Sequence, residues 1–282
     1  MAEISAGMVV KLREMTNAGM MDCKKALLET NGDLTAAVDL LRKRGVATAA
    51  KKALREAREG VIAQFILPGS RAGVLLEVNC ESDFVAKNDM FRAFCDQVAR
   101  TLAENPAADL EALRTDAVAR IRENIRIARH QRFEVSANGL IAAYIHTGAK
   151  VGVLVEVGAE KEATVATEDF KQLVKDITLQ IAAASPVAVS REQVDPAIVA
   201  KEREIAGTSD LVKNKPPQAV AKIIEGKLEK YFQTACLVDQ GFVKRNSEIT
   251  VREHVAAVAK QLGDQITIRR FIRFQVGESF GG

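Results

Sequence analysis

Glu77, Glu81, Asp83 and Asp89 place four carboxylates on one short stretch, together with Cys80 and Ser82. Carboxylates at that density could ligate a divalent cation or act as a general acid and base. The rest of the chain does not complete either chemistry. His130, His146 and His254 are few and dispersed, and Cys23, Cys80, Cys95 and Cys236 show no CxxC spacing. The expectation is four reduced, mostly buried thiols and no metal centre. Gly69 and Gly73 sit in a hairpin pattern, whereas a phosphate-binding loop would place its glycines before a helix. No nucleophile elbow is present and no cofactor is expected. Glu77 also recurs, as Glu156, without the neighbouring carboxylates, which weighs against a metal site. The chain reads as a binding protein without a reaction of its own.

What remains distinctive in the acidic stretch is Phe84 beside Asp83. An apolar strand pattern, Gly73 to Val78, stops at Asn79. A helix pattern starts near Asp89 and puts Phe91, Phe94 and Val98 on one face. The polar loop between them leaves Phe84 two roles, a staple folded under the loop or an anchor projecting to a partner. An internal repeat favours the second. GVIAQFILPGSRAGVLLEV from Gly60 aligns without a gap on GLIAAYIHTGAKVGVLVEV from Gly139, an offset of 79 residues. Phe91, Phe94 and Val98 align with Phe170, Leu173 and Ile177, but Asp83-Phe84 faces Glu162-Ala163. A ring needed to close the unit would be needed in both copies.

The totals set bounds. A chain of 282 residues, 48% of them hydrophobic, can fill two or three cores. No apolar run approaches the roughly 18 residues of a membrane span, and MAEISAGMVVKLREM lacks the features of a signal peptide. A cytoplasmic protein without membrane contact is expected. The net charge of +3 is nearly balanced, which disfavours a dedicated nucleic-acid binder.

Three units are expected in an α+β chain. Residues 1–55 form a three-helix bundle of the ubiquitin-associated type, with Asp22 and Asp33 as helix caps and a break at 16–19. Met20 and Met21 suit core filling or an adaptable contact surface. The Ala-rich basic segment from Gly45 to about residue 59 reads as a helical, solvated tether, with RNA binding as the sharper alternative. Residues 60–138 form a first core subdomain with a hairpin, a helix from Asp89 to Leu102 and a second from about Asp109 to Ile127. Residues 139–282 form a related second subdomain, with strands 140–146 and 151–157 and a helix from Glu168 to Ala184. Both subdomains should carry antiparallel sheets. Inserted at about 187–233 is a helical hairpin, Pro196–Ala206 and Gln218–Phe232, with a narrow apolar stripe that suits packing on itself or on a partner. A strand-like Leu237–Val243, a helix Val251–Leu262 and a strand Ile266–Val276 with a bulge near Arg269-Arg270 close the chain.

Two long motifs carry a family resemblance. Val10-Lys11-Leu12-Arg13-Glu14-Met15-Thr16-Asn17-Ala18-Gly19-Met20-Met21-Asp22-Cys23-Lys24-Lys25-Ala26-Leu27 resembles the opening signature of bacterial elongation factor Ts. Glu77-Val78-Asn79-Cys80-Glu81-Ser82-Asp83-Phe84-Val85-Ala86 resembles its second signature, with Ser82 where Thr is usual. Ile223 to Leu228, together with Leu237, Gln240, Phe242 and Val243, resembles later blocks. The resemblance implies a guanine-nucleotide exchange factor that binds GDP-loaded elongation factor Tu, displaces Mg²⁺, promotes GDP release and holds the empty GTPase until GTP binds. It implies partner contact and Mg²⁺ dislocation by Ser82, Asp83, Phe84 and Val85. It implies further contacts by Arg13, Met20, Met21, Lys24, Ile125 and His146, against ordinary solvated charges at Arg13 and Lys24 and a satisfied strand-end histidine at His146. The hairpin matches the family's coiled-coil arm, through which dimerisation is conceivable. Some relatives carry an additional C-terminal helix that touches the partner; the sequence runs to Gly282, just after the last expected strand, and leaves that contact open. A chaperone-like or RNA-associated module is the competing class, and tight, salt-dependent RNA binding would mark it.

Overall fold

The computed structural model describes residues 4–16, 18–209 and 213–278. Asn17 of the expected break, and Gly282, lie outside them.

Helices α1 (Ala6–Thr16), α2 (Met20–Glu29) and α3 (Leu34–Lys52) pack around Leu12, Cys23, Leu27 and Ala37. Asp33 caps α3 by accepting from Ala36 N at 3.0 Å. Asp22 does not cap α2. The helix starts at Met20, so Asp22 already lies in its first turn. The expected tether is the second half of α3, and it is not fully solvated. Gly45 lies against Thr115 and Ala119 of a later helix, α6 (Glu111–Ile121), and Ala49 joins the first core. Small residues spaced four apart, Gly45 and Ala49, let two helices approach, although Lys51 and Lys52 follow.

Strands β1 (Glu59–Ile66), β2 (Ala72–Cys80) and β3 (Arg126–Glu134) form one antiparallel sheet, in that order. β4 (Gly139–Ile145), β5 (Val151–Ala159) and β6 (Ile266–Gln275) form a second. Each outer face carries a helix, α5 (Asp89–Glu104) on the first sheet and α8 (Glu168–Ala184) on the second. Phe91, Phe94 and Val98 meet Val74, Leu76 and Val78. Phe170, Leu173 and Ile177 meet Val153, Val155 and Val157. The period-2 alternation of β2 and β5 sends Leu75 and Leu154 the other way, into a layer between the sheets with Ile62, Phe133, Ile141 and Phe274. Reciprocal cation–π contacts seal this layer: the Arg129 guanidinium lies 4.2 Å from the Phe274 ring centre and that of Arg270 4.4 Å from Phe133.

The repeat extends to backbone detail. Gly60 and Gly139 both have φ 155°, and a Cβ there would lie 2.2 Å from Val78 O and 2.5 Å from Val157 O. Register shifts fall between Glu77 and Val78 and between Glu156 and Val157. The second of these accommodates the bulge expected near Arg269-Arg270.

Two expected elements differ. The helix expected to reach Ile127 is shorter: α6 (Glu111–Ile121) ends at Arg122, in a left-handed conformation (φ 65°), and β3 begins at Arg126. Val118, Ile121 and Ile125 imitate helical spacing across that stop. Leu237–Val243 is not a strand. It makes 3-10 turns at Leu237–Asp239 and Val243–Arg245, with strand-like pairing limited to isolated bridges of Ala188 with Cys236 and Gly241 with Thr250, and the Gln240 side chain donates to Thr234 O (2.7 Å) and Ala184 O (3.2 Å). Helices α9 (Pro196–Thr208) and α10 (Pro217–Ala235) pack on each other, joined by Arg203–Glu225 at 2.7 Å. α11 (Val251–Leu262) begins with a capping box of Thr250 and Glu253.

Candidate functional site

The expected polar loop after β2 is a single helical turn, α4 (Asp83–Ala86). Ser82 starts it. Its backbone is extended and its Oγ accepts from Val85 N at 3.3 Å, the geometry of an N-cap. Ala86 is buried and Val85 packs on the first core, so the turn is rooted on one side. Lys87 N and Asn88 N donate back into the turn, and the Asn88 side chain accepts from Met90 N to start α5. This leaves Phe84 at the tip, 81% exposed.

Glu77, Glu81 and Asp83 are committed to protein partners. Glu77, buried, accepts from Arg129 Nε at 2.8 Å and from Asn79 Nδ2 at 2.9 Å. Glu81 accepts from Asn124 N at 2.6 Å. Asp83 accepts from Lys87 Nζ at 2.7 Å, and that ammonium holds its carboxyl below the ordinary aspartate range. Burial, followed by the Glu123 charge, pushes the Cys80 thiol up to about 12; it stays protonated and donates to Ser82 O at 3.2 Å. What this arrangement offers a partner is an apolar ring next to a solvent-facing Asp83–Lys87 ion pair.

The other sequence-expected residues divide. Arg13, Met20, Met21 and Lys24 are exposed on the helical bundle, the two methionines by 51% and 62%, so they do not fill its core. His146 is exposed just after β4, with Nδ1 3.0 Å from Tyr144 Oη. The side chain of Ile125 is enclosed in the first core and does not reach the surface.

Sequence reasoning missed the residues that hold the turn from behind. Glu123 Oε2 accepts from Glu81 N (2.9 Å) and Ser82 N (3.0 Å), and Oε1 accepts from Ser82 Oγ (2.6 Å). Asn124 Nδ2 donates to Arg55 O at 2.6 Å. The polar run Arg122-Glu123-Asn124 between two isoleucines was the available signal, masked by the helical spacing around it.

The α+β scaffold and its exposed ring define a binding protein, one that presents a preformed surface element. The elongation factor Ts family profile matches residues 81–278. The chain is similar to elongation factor Ts of Symbiobacterium thermophilum, 44% identical over 285 residues, covering 99% of this chain and 93% of that protein. It is also similar to those of Nitratidesulfovibrio vulgaris (strain DP4), at 42% with 98% and 96% covered, and Lawsonia intracellularis, at 40% with 98% and 99%. The chain belongs to the elongation factor Ts family. It is therefore a translation elongation factor and not a catalytic enzyme. Among the described residues no helix is long and apolar enough to cross a membrane.

Proposed function

We propose that the chain is the guanine-nucleotide exchange factor of elongation factor Tu and that Phe84 is its wedge. The chain binds the GDP-loaded GTPase, disturbs its Mg²⁺ through Asp83 and Phe84, lets GDP leave and holds the empty state until GTP arrives. An exchange factor has to prefer the nucleotide-free partner, because only a difference in affinity moves an equilibrium. A ring that is solvated in the free protein and seated in a pocket that opens only when the partner lacks nucleotide supplies such a difference, about 1.5–3 kcal/mol. A thousandfold acceleration requires about 4 kcal/mol. The balance falls to Asp83 beside the metal site, with Ser82 and Val85 framing the turn, and to contacts from Arg13, Met20, Met21, Lys24 and His146. Ile125 serves as support beneath this surface.

In this reading residues 1–55 are a ubiquitin-associated-type docking unit, residues 60–138 and 139–282 are related core units, and α9–α10 form an inserted arm open to a second copy. The cytoplasm is the setting, as translation requires. The observation that carries the reading is the exposure of Phe84 on a turn anchored from below. The test is release of labelled GDP from elongation factor Tu with increasing amounts of this chain. Acceleration that saturates supports the reading, and a release rate unaffected at every concentration removes it.

A further inference from the structure

We propose that Glu123 is a positioning residue for the Phe84 turn, and that the Arg122-Glu123 pair ties that turn to the exposed face of α2; this rests on the exchange reading above. Consecutive residues reach two different parts of the molecule. Arg122 Nη2 donates to Asp22 Oδ2 at 2.9 Å, one residue from Met21. Glu123 accepts three hydrogen bonds from residues 81 and 82, immediately before Asp83. Lys52 Nζ donates to Arg122 O, and Asn124 fixes Glu81 on one side and Arg55 on the other. The end of α3, the end of α6 and the base of α4 thus meet at one junction.

The Ser82 hydroxyl is engaged as both donor and acceptor there. It donates to Glu123 Oε1 while accepting from Val85 N, so the carboxylate fixes the rotamer that caps the turn. Hydrogen bonds to a charged acceptor are the stronger kind. The twin turn is clamped differently: Asp264 Oδ2 accepts from Lys161 N at 3.1 Å, Lys161 Nζ donates to Gly263 O at 2.5 Å, and Lys161 gives no side-chain cap. A carboxylate holding the capping side chain is found under the turn that carries the ring.

Preorganisation governs how fast a bound wedge acts, whereas the Arg122–Asp22 pair, exposed on both sides, bears on docking alone. Maximal GDP release rate, half-saturating concentration and urea midpoint are measured for wild type, Glu123→Ala, Glu123→Gln, Ser82→Ala and Arg122→Gly. Glu123→Ala should lower the maximal rate about tenfold, with Glu123→Gln in between, since the amide oxygen still accepts from the backbone. Arg122→Gly tolerates the left-handed backbone and should shift only the half-saturating concentration, about twofold. A folded Glu123→Ala protein with the wild-type maximal rate overturns the inference. If that variant does not fold, Ser82→Ala decides, a loss of about threefold supporting the clamp and no loss overturning it. A wild-type chain that never accelerates release instead overturns the exchange reading.

Discussion

The units that start at Gly60 and Gly139 share a sheet order, a bulge position, an outer helix and a one-turn helix after the second strand, yet differ at the tip of that turn. α7 (Glu162–Val165) is the counterpart of α4, and Ala163 stands where the first unit has Phe84. Tip residues face solvent in both units, so packing constrains neither. The scaffold residues were held to one pattern because Phe91 and Phe170 must each fill a core. Duplication thus separates what the fold needs from what one copy alone presents.

That separation can be broken at four points. The largest effect should come from the shared core: Phe91→Ala and Phe170→Ala should each lower stability by about 3–5 kcal/mol in urea unfolding, alike within the spread of such sites. Next is the buried glutamate at the bulge. Glu77→Ala leaves Arg129 only 10% exposed without its main carboxylate and should cost about 3 kcal/mol. Glu156→Ala should cost less, because Arg269 and Arg270 keep more water, and equal losses would argue against this account of the asymmetry.

A third difference is confined to the second unit. His254 stacks on Phe242 with ring centres 4.2 Å apart, and burial lowers its pKa despite Asp176 nearby and with Lys244 and Arg245 adding to the shift. Its folded pKa lies below its unfolded value, so the neutral ring's contribution is complete above about pH 6.5 and is lost as pH falls below that. The urea midpoint should therefore drop more between pH 7.5 and 5.5 in wild type than in His254→Phe. The smallest effect belongs to the twin tip: Ala163→Phe should change stability by no more than about 0.5 kcal/mol and leave GDP release unaltered. A gain in release would show that the second turn also reaches the nucleotide site.

Much of this was legible in the sequence because burial is periodic. α8 and α11 run over the expected residues, and the repeat located both hairpins and both outer helices. β3 was not legible. Its Arg126, Arg129, His130, Gln131 and Arg132 look like a helix surface, and only the sheet shows that Arg129 is pulled inward by Glu77 and Phe274. The same masking hid Glu123, whose role depends on a backbone 41 residues away. The exposure of Phe84 was legible from comparing the two copies, whereas the loop by itself leaves both a staple and an anchor open. Ile125 shows the converse: a position that the resemblance marks as a contact has its side chain enclosed in the first core.

Phe84→Ala, added at saturating concentration to GDP-loaded elongation factor Tu, removes the wedge and nothing else. With an unchanged urea midpoint, GDP should leave at least about tenfold more slowly than with wild type, in keeping with the burial of one aromatic ring. A folded Phe84→Ala protein that releases GDP as fast as wild type would contradict the wedge.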